Sequence, residues 1–206
     1  METQREQELE AVRMLGLKMA TDPRWVNIAE KSIDEILIDH AFCEQKAATT
    51  CIALIVKNPE REKLVEQVSP IVSEEWAHFR AVLSEMKKRG IKLGPARKDD
   101  YVVKLMQIQK SGGSREEQLV EKLLTSAMIE ARSCERFRLL SLHCSDEYLR
   151  NFYHGFMVSE AGHYTLFINL AYEYMPKEYV KNRWQEFLMA EAEIMEGLAQ
   201  RGDRFH

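Results

Sequence analysis

Two Glu-x-x-His tetrads interrupt the apolar stripes of two long segments that have helical periodicity. The tetrads are Glu75 to His78 and Glu160 to His163. Positions three or four apart share one face of a helix, so each tetrad places a carboxylate beside an imidazole. A carboxylate buried among apolar side chains is costly unless something pairs with it, and a divalent cation is an effective partner. The tetrads therefore predict metal ligands inside a helical bundle.

The first tetrad has a matching glutamate on the helix that precedes it. Asn58-Pro59 is typical of an N-cap followed by proline at the first helical position, so a turn is expected there. Folding the chain back at that turn brings Glu44 to nearly the same height as Glu75, 31 residues later. Small residues on the stripe around Glu44 leave room for a site. The first hairpin thus predicts Glu44 as a third ligand.

The second tetrad repeats this arrangement with almost the same spacing. A turn is expected near Cys144-Ser145, with Ser145 as the N-cap. Folding back there sets Glu130 opposite Glu160, 30 residues later. Glu135 competes with Glu130, because Cys134-Glu135 resembles Cys43-Glu44 locally; the apolar stripe favours Glu130. The alternative remains open at the level of sequence.

Six residues form the predicted ligand set, two carboxylates and one imidazole from each hairpin: Glu44, Glu75, His78, Glu130, Glu160 and His163. Metal-bound imidazoles commonly donate their other ring nitrogen to a carboxylate, and Asp39 and Glu135 are predicted for that role. Iron and manganese suit such ligands equally well. The other four histidines lack the tetrad context and are expected to have ordinary surface or core roles: His40, His143, His154 and His206.

The positions of proline, glycine and capping residues predict an all-α protein of one domain, residues 1–206. Helices are expected over about 22–57 with a restart at a Ser32 capping box, 59–89 with an interruption near Pro70, 99–110, 114–143, 145–174 and 176–201. Residues 1–21 form an N-terminal extension and residues 90–113 a long crossover between two hairpins. Two hairpins, one crossover and an added C-terminal helix predict a ferritin-like four-helix bundle.

Composition excludes several other classes of protein. No apolar run approaches the roughly 18–20 residues of a membrane span, and the N-terminus lacks a signal-peptide pattern, so a cytoplasmic location is expected. The four cysteines form no Cys-x-x-Cys pair. They are expected to be reduced thiols, and electrons for any redox chemistry would come from an external donor.

One stretch of the chain is strongly basic although the net charge is −4. Residues 80–115 hold ten basic and three acidic side chains, a local excess of seven positive charges. A solvated helix end and loop explains this as well as a contact surface for a phosphate backbone does. The residues predicted for such a contact are Lys87, Lys88, Arg89, Lys92, Arg97 and Lys98.

Four segments carry a resemblance to a known family. They are IDHAFCEQKAA, SEEWAHFRAVLSEMKKRGI, MIEARSCERFRLL and VSEAGHY, which surround Glu44, the first tetrad, Glu130 and the second tetrad. Over nearly its whole length the chain resembles the tRNA 2-methylthio-N6-isopentenyl-adenosine hydroxylases, the MiaE-type family. In these segments every ligand position expected of a ferritin-like dinuclear site is occupied.

The resemblance implies an O2-dependent non-haem di-iron monooxygenase. It would hydroxylate the isopentenyl group of a modified adenosine beside the anticodon of tRNA, with two electrons from an external reductase or ferredoxin. Its partners would be the tRNA anticodon loop and that electron donor, with no membrane. The alternative is a ferritin-like di-iron or di-manganese oxidase or peroxidase that acts on a small molecule. Iron storage would need assembly into a cage, for which the sequence gives no sign.

Overall fold

The computed structural model describes residues 15–96 and 98–198, and these residues contain helices but no β-strand. The all-α prediction is therefore confirmed for this part of the chain. The helices are α1 Arg24–Lys31, α2 Ile33–Lys57, α3 Glu62–Lys88, α4 Asp100–Met106, α5 Arg115–His143, α6 Glu147–Tyr174 and α7 Lys177–Gly197. None of them is both long enough and apolar enough to cross a bilayer. The predicted end of the last helix at Gly202 lies outside the described residues.

The described chain divides into two compact units, and the boundary falls within α1. One unit comprises residues 28–96 and 98 and contains the antiparallel hairpin of α2 and α3. The other comprises residues 15–27 and 99–198 and contains the hairpin of α5 and α6 together with α4 and α7. The prediction of a single domain remains a prediction.

The hairpin of α2 and α3 turns where the sequence predicted, but Asn58 has a different role. Asn58 is the C-cap of α2, and its side-chain amide donates to the Leu54 carbonyl at 2.8 Å. Helix α3 begins at Glu62, with Arg61 as an N-cap whose side chain makes no capping hydrogen bond. The prediction of Asn58 as an N-cap is wrong, because its side chain is bonded to the helix that precedes it.

Two further predictions for this hairpin are wrong. Ser32 precedes α2 without a side-chain cap, and its φ of −129° and ψ of 35° lie outside the extended geometry that a capping box requires. Pro70 lies inside α3 and does not interrupt it. Glu66 and Pro70 are both exposed. Water can therefore bond the Glu66 carbonyl, to which proline offers no N–H.

Gly90 ends α3 in the predicted manner. Its φ of 72° is in the left-handed region, which glycine enters at little cost. The Gly90 N–H donates to the Lys87 carbonyl at 3.1 Å and the Ile91 N–H to the Met86 carbonyl at 2.9 Å. This pair of bonds is the Schellman motif, and it satisfies carbonyls that the helix end would leave open.

The hairpin of α5 and α6 begins with the predicted capping box. The Ser114 hydroxyl accepts from the Glu117 N–H at 3.1 Å, and the Glu117 carboxylate accepts from the Ser114 N–H at 2.7 Å. At the turn, however, the N-cap of α6 is Asp146, which accepts from the N–H groups of Tyr148 and Leu149. The prediction of Ser145 is wrong by one residue, because the carboxylate rather than the hydroxyl reaches the open N–H groups.

Buried ion pairs attach α7 to α5 within this unit. Arg132 on α5 donates to both carboxylate oxygens of Glu191 on α7, at 2.8 and 2.9 Å. Arg183 on α7 donates to both oxygens of Glu121 on α5, at 2.6 and 2.7 Å. Tyr101 of α4 donates to Glu191 at 3.2 Å. These bidentate pairs fix the register of α7 along α5, since a one-turn slip would separate the buried carboxylates of Glu121 and Glu191 from their arginines.

Candidate metal centre

The hairpin of α2 and α3 brings together three of the predicted ligands. Glu44, Glu75 and His78 each offer a ligand atom, and these atoms lie within 4.8 Å of one another. The Nδ1 atom of His78 is 3.3 Å from Glu44 Oε2 and 3.6 Å from Glu75 Oε2. Both carboxylates are buried, and His78 is partly exposed. We call these residues the first triad.

The apolar stripes of α2 and α3 explain why these side chains point inward. Val68, Ile71, Phe79 and Val82 are buried on α3, before and after the tetrad. On α2 the buried small residues Ala41 and Ala48 lie on either side of Glu44. Residues at such spacings share a helix face, so burial of the apolar side chains carries the polar ones into the interior with them.

The hairpin of α5 and α6 builds a second triad from Glu130, Glu160 and His163. Their ligand atoms also lie within 4.8 Å of one another. The Nδ1 atom of His163 is 3.3 Å from Glu160 Oε2. All three residues are buried. The carboxylate of Glu130 rather than that of Glu135 is thus the one from α5 that lies beside the tetrad.

Glu135 belongs to a different cluster. Its Oε1 atom accepts from the Thr21 N–H at 2.7 Å, and its Oε2 atom accepts from the Thr21 hydroxyl and from Arg132, each at 2.6 Å. Its carboxylate thus joins the N-terminal segment to the Arg132 ion pair. Asp39, the other residue predicted to support an imidazole, is buried on α2, and its predicted role remains a prediction.

His40 contacts the first triad, a role that the sequence did not predict. It is fully buried, and its Nε2 atom lies 2.6 Å from Glu44 Oε1. From sequence it is expected to have an ordinary role, because it stands outside both tetrads. Its position four residues before Glu44 was the available signal, since residues at i and i+4 are neighbours on a helix.

The donor set of each triad fits a divalent metal ion. Two carboxylates supply negative charge, and one imidazole turns Nδ1 toward a carboxylate oxygen in both triads. Oxygen and imidazole nitrogen donors together suit iron and manganese, whereas cysteine thiolates, which would favour zinc or an iron–sulfur cluster, are absent from both triads. A cation between the carboxylates would offset the cost of burying them.

The predicted basic residues lie at the end of α3 and in the segment after it. Lys87, Lys92 and Lys98 are exposed, and Arg97 is outside the described residues. Lys88 and Arg89 pair with the buried carboxylate of Glu85, at 3.2 and 2.7 Å. Two of the predicted charges are therefore partly compensated within α3.

Comparison with known proteins identifies relatives over nearly the whole chain. A relative from Pseudomonas putida, a tRNA 2-(methylsulfanyl)-N(6)-isopentenyladenosine(37) hydroxylase, is 37% identical over 186 residues, which are 90% of this chain and 89% of that protein. A protein of the same name from Salmonella typhimurium is 26% identical and is matched over 92% of this chain and 87% of its own length.

A solved structure shares the fold. It is Protein 43 with aldehyde deformylating oxygenase activity from Synechococcus, with 34% identity and a TM-score of 0.86 over 92% of this chain and 94% of that one. This likeness confirms the predicted ferritin-like fold class. The family model described as tRNA-(MS[2]IO[6]A)-hydroxylase (MiaE) matches residues 7–206. The chain therefore belongs to the MiaE family of tRNA hydroxylases.

Proposed function

We propose that the protein hydroxylates the isopentenyl group of 2-methylthio-N6-isopentenyl-adenosine next to the anticodon of tRNA. The proposal rests on one observation: a member of this hydroxylase family carries two triads, each with two buried carboxylates and one imidazole whose ligand atoms lie within 4.8 Å of one another. Its two curated relatives are hydroxylases of that nucleoside by name. A substrate within tRNA also favours the cytoplasm as its location.

Each triad is proposed to hold one of two iron ions. Glu44, Glu75 and His78 would bind one ion, and the three residues of the second triad the other, as in carboxylate proteins of this fold. Such a pair of ions supplies the activation of dioxygen needed to insert one oxygen atom into an unactivated C–H bond, with electrons from an external reductase or ferredoxin. Four carboxylates would balance the four positive charges of two ferrous ions.

The protein's own contribution is to hold these ligands in place and to keep water away from them. The apolar residues that flank each triad are buried, so the ligands face a site of low polarity. The nucleoside must leave the stack of the anticodon loop to reach such a site, as in other enzymes that act on bases. The exposed lysines at the end of α3 are proposed to contact phosphates beside it.

Mass analysis of tRNA nucleosides tests the proposed reaction. Purified protein reconstituted with ferrous iron and a reducing system should convert the isopentenyl nucleoside in tRNA to its hydroxylated form under air but not under argon. Glu75→Ala should abolish conversion, while Glu74→Ala, which changes the exposed neighbouring carboxylate, should retain it. Unchanged nucleoside with iron-loaded wild-type protein would refute the proposal.

Aldehyde deformylation is the second candidate, favoured by the 34% identity to the Synechococcus oxygenase. Metal ligands alone do not distinguish the two reactions, because the same ion pair can serve different substrates. The iron-loaded protein would be offered a long-chain aldehyde in place of tRNA, and the product lacking the formyl carbon would be sought by gas chromatography. If the protein converts the aldehyde and leaves the tRNA nucleoside unhydroxylated, aldehyde deformylation would replace the first proposal.

Charge reversal tests the proposed contact with tRNA. Lys87 and Lys92 are the better targets, because changing Lys88 or Arg89 would also disturb buried Glu85. The double variant Lys87→Glu/Lys92→Glu should weaken tRNA binding and lower the salt slope by about 1 for each lysine that contacts a phosphate. The control Lys177→Glu/Lys181→Glu makes the same charge change at exposed positions of α7. Equal loss in both variants would contradict a specific contact.

A further inference from the structure

His40 makes a short, fully buried contact with one oxygen of Glu44. The distance from His40 Nε2 to Glu44 Oε1 is 2.6 Å, and the His40 side chain has no exposed surface. An ionised carboxylate can only accept hydrogen bonds. With Glu44 ionised, as a metal ligand is, Nε2 of His40 carries the hydrogen and donates it to Oε1.

The two oxygens of Glu44 thus have different surroundings. Oε1 is bonded to His40, whereas Oε2 lies 3.3 Å from Nδ1 of His78 within the first triad. Rotation of the carboxylate away from this orientation would break the bond to His40, so the bond holds one oxygen toward the imidazole and the other toward the triad. His40 and Glu44 are one helical turn apart, so this contact lies within α2.

We propose that His40 is a positioning residue that makes Glu44 a one-oxygen ligand, with Oε2 directed to the metal and Oε1 retained by the imidazole. This inference rests on the proposed metal centre. Partners that orient metal ligands typically change metal affinity by about 10- to 100-fold when they are removed. Without the bond, the Glu44 carboxylate would rotate freely between one-oxygen and two-oxygen binding.

Titration of the metal-free protein with Co²⁺ tests the inference without relying on activity. Calorimetry gives the affinity of each ion, and the visible absorption of Co²⁺ reports its coordination. His40→Leu should lower the affinity for one of the two Co²⁺ ions by about 10- to 100-fold and change the absorption bands of that ion. His40→Gln, whose amide can still donate to Oε1, should recover most of that affinity. His154→Gln, at an exposed position of α6, should match wild type.

Several results would overturn the role of His40. Equal Co²⁺ affinities in wild type and His40→Leu would do so, as would a glutamine variant as weak as the leucine variant, because the imidazole would then act through its volume. Should His40→Leu fail to fold by circular dichroism, His40→Asn replaces it, since its shorter amide cannot reach Oε1. Failure of wild type to bind two Co²⁺ ions would instead refute the proposed metal centre.

Discussion

The two hairpins carry the same three ligand types but differ in how those ligands are supported. In the hairpin of α2 and α3, the imidazole of His78 is 19% exposed, and Glu44 is bonded by His40 on its own helix. In the hairpin of α5 and α6, His163 is 5% exposed, and the helix that carries Glu130 is tied to α7 by buried arginines. The contact to Glu44 thus comes from within its own helix, whereas the helix that carries Glu130 is fixed by contacts distant in sequence.

The two hairpins therefore share their ligand types but differ in the interactions that stabilise their helices. Arg136 lies over the ring of Trp25 at 4.8 Å, and burial lowers the pKa of its guanidinium to about 10. Burial likewise raises the pKa of the Glu191 carboxyl, although its pairing with Arg132 opposes that shift. The unit of the second hairpin thus contains buried charges that stabilise one another. Removal of one of them is expected to lower the free energy of unfolding substantially.

Removal of one ligand from each hairpin should have the largest effect. Glu75→Ala and Glu160→Ala are each expected to lose hydroxylation by more than about 100-fold, beyond the range found for residues that merely orient ligands. Iron content by mass spectrometry should fall in both variants. Glu74→Ala is the control. Normal iron content and activity in one of the two variants would show that the glutamate it lacks is not a metal ligand.

Arg132→Ala should be the most destabilising change outside the triads. It would remove the guanidinium that donates to both Glu135 and Glu191, and loss of one partner from such a buried pair costs about 3–5 kcal/mol in the free energy of unfolding. Urea denaturation of the metal-free protein measures it. Glu186→Gln removes a half-exposed carboxylate that pairs with Lys110 and Arg183, and it should cost less than about 1 kcal/mol because Arg183 keeps its buried partner Glu121. Similar values for both variants would contradict the role of the buried cluster.

The alkylation rates of Cys43 and Cys134 report how tightly the protein packs beside each triad. Burial raises the pKa of the Cys134 thiol, one turn beyond Glu130, to about 12. At pH 8 this thiol stays protonated, and only the thiolate reacts with iodoacetamide. Cys43, beside Glu44, is only partly buried. Peptide mass spectrometry of the native protein should show Cys43 modified at least about tenfold faster than Cys134. Equal rates would contradict tight packing around the second hairpin.

Two serines give the smallest and most closely matched test. Ser114 caps α5 through its hydroxyl, whereas Ser32 precedes α2 without such a bond. Ser114→Ala is expected to cost about 1 kcal/mol in unfolding free energy, and Ser32→Ala distinctly less. Thermal or urea unfolding measures both. A larger loss for Ser32→Ala would mean that its hydroxyl has a role in the first hairpin that its capping geometry does not reveal.

Much of this architecture could be predicted because its signals are local. Helical periodicity located the long helices, and the Ser114 box and Gly90 end were correct because capping depends on residues within one turn. Ser145 was misassigned because the adjacent Asp146 competes for the same helix end, and Asn58 because its amide can bond the helix before it as well as the helix after it. Pro70 was expected to interrupt α3, yet an exposed carbonyl can bond water instead of the missing N–H.

The sequence alone determined the long helices, the two hairpin turns and five of the six proposed ligands, because each follows from spacing along one or two helices. The tertiary structure decided what those spacings leave open. It gave Glu135 to Arg132 and Thr21 and left Glu130 beside the second tetrad, and it brought His40 onto Glu44. The partner of a carboxylate depends on which side chains lie beside it in the folded protein, and spacing along the chain does not specify this.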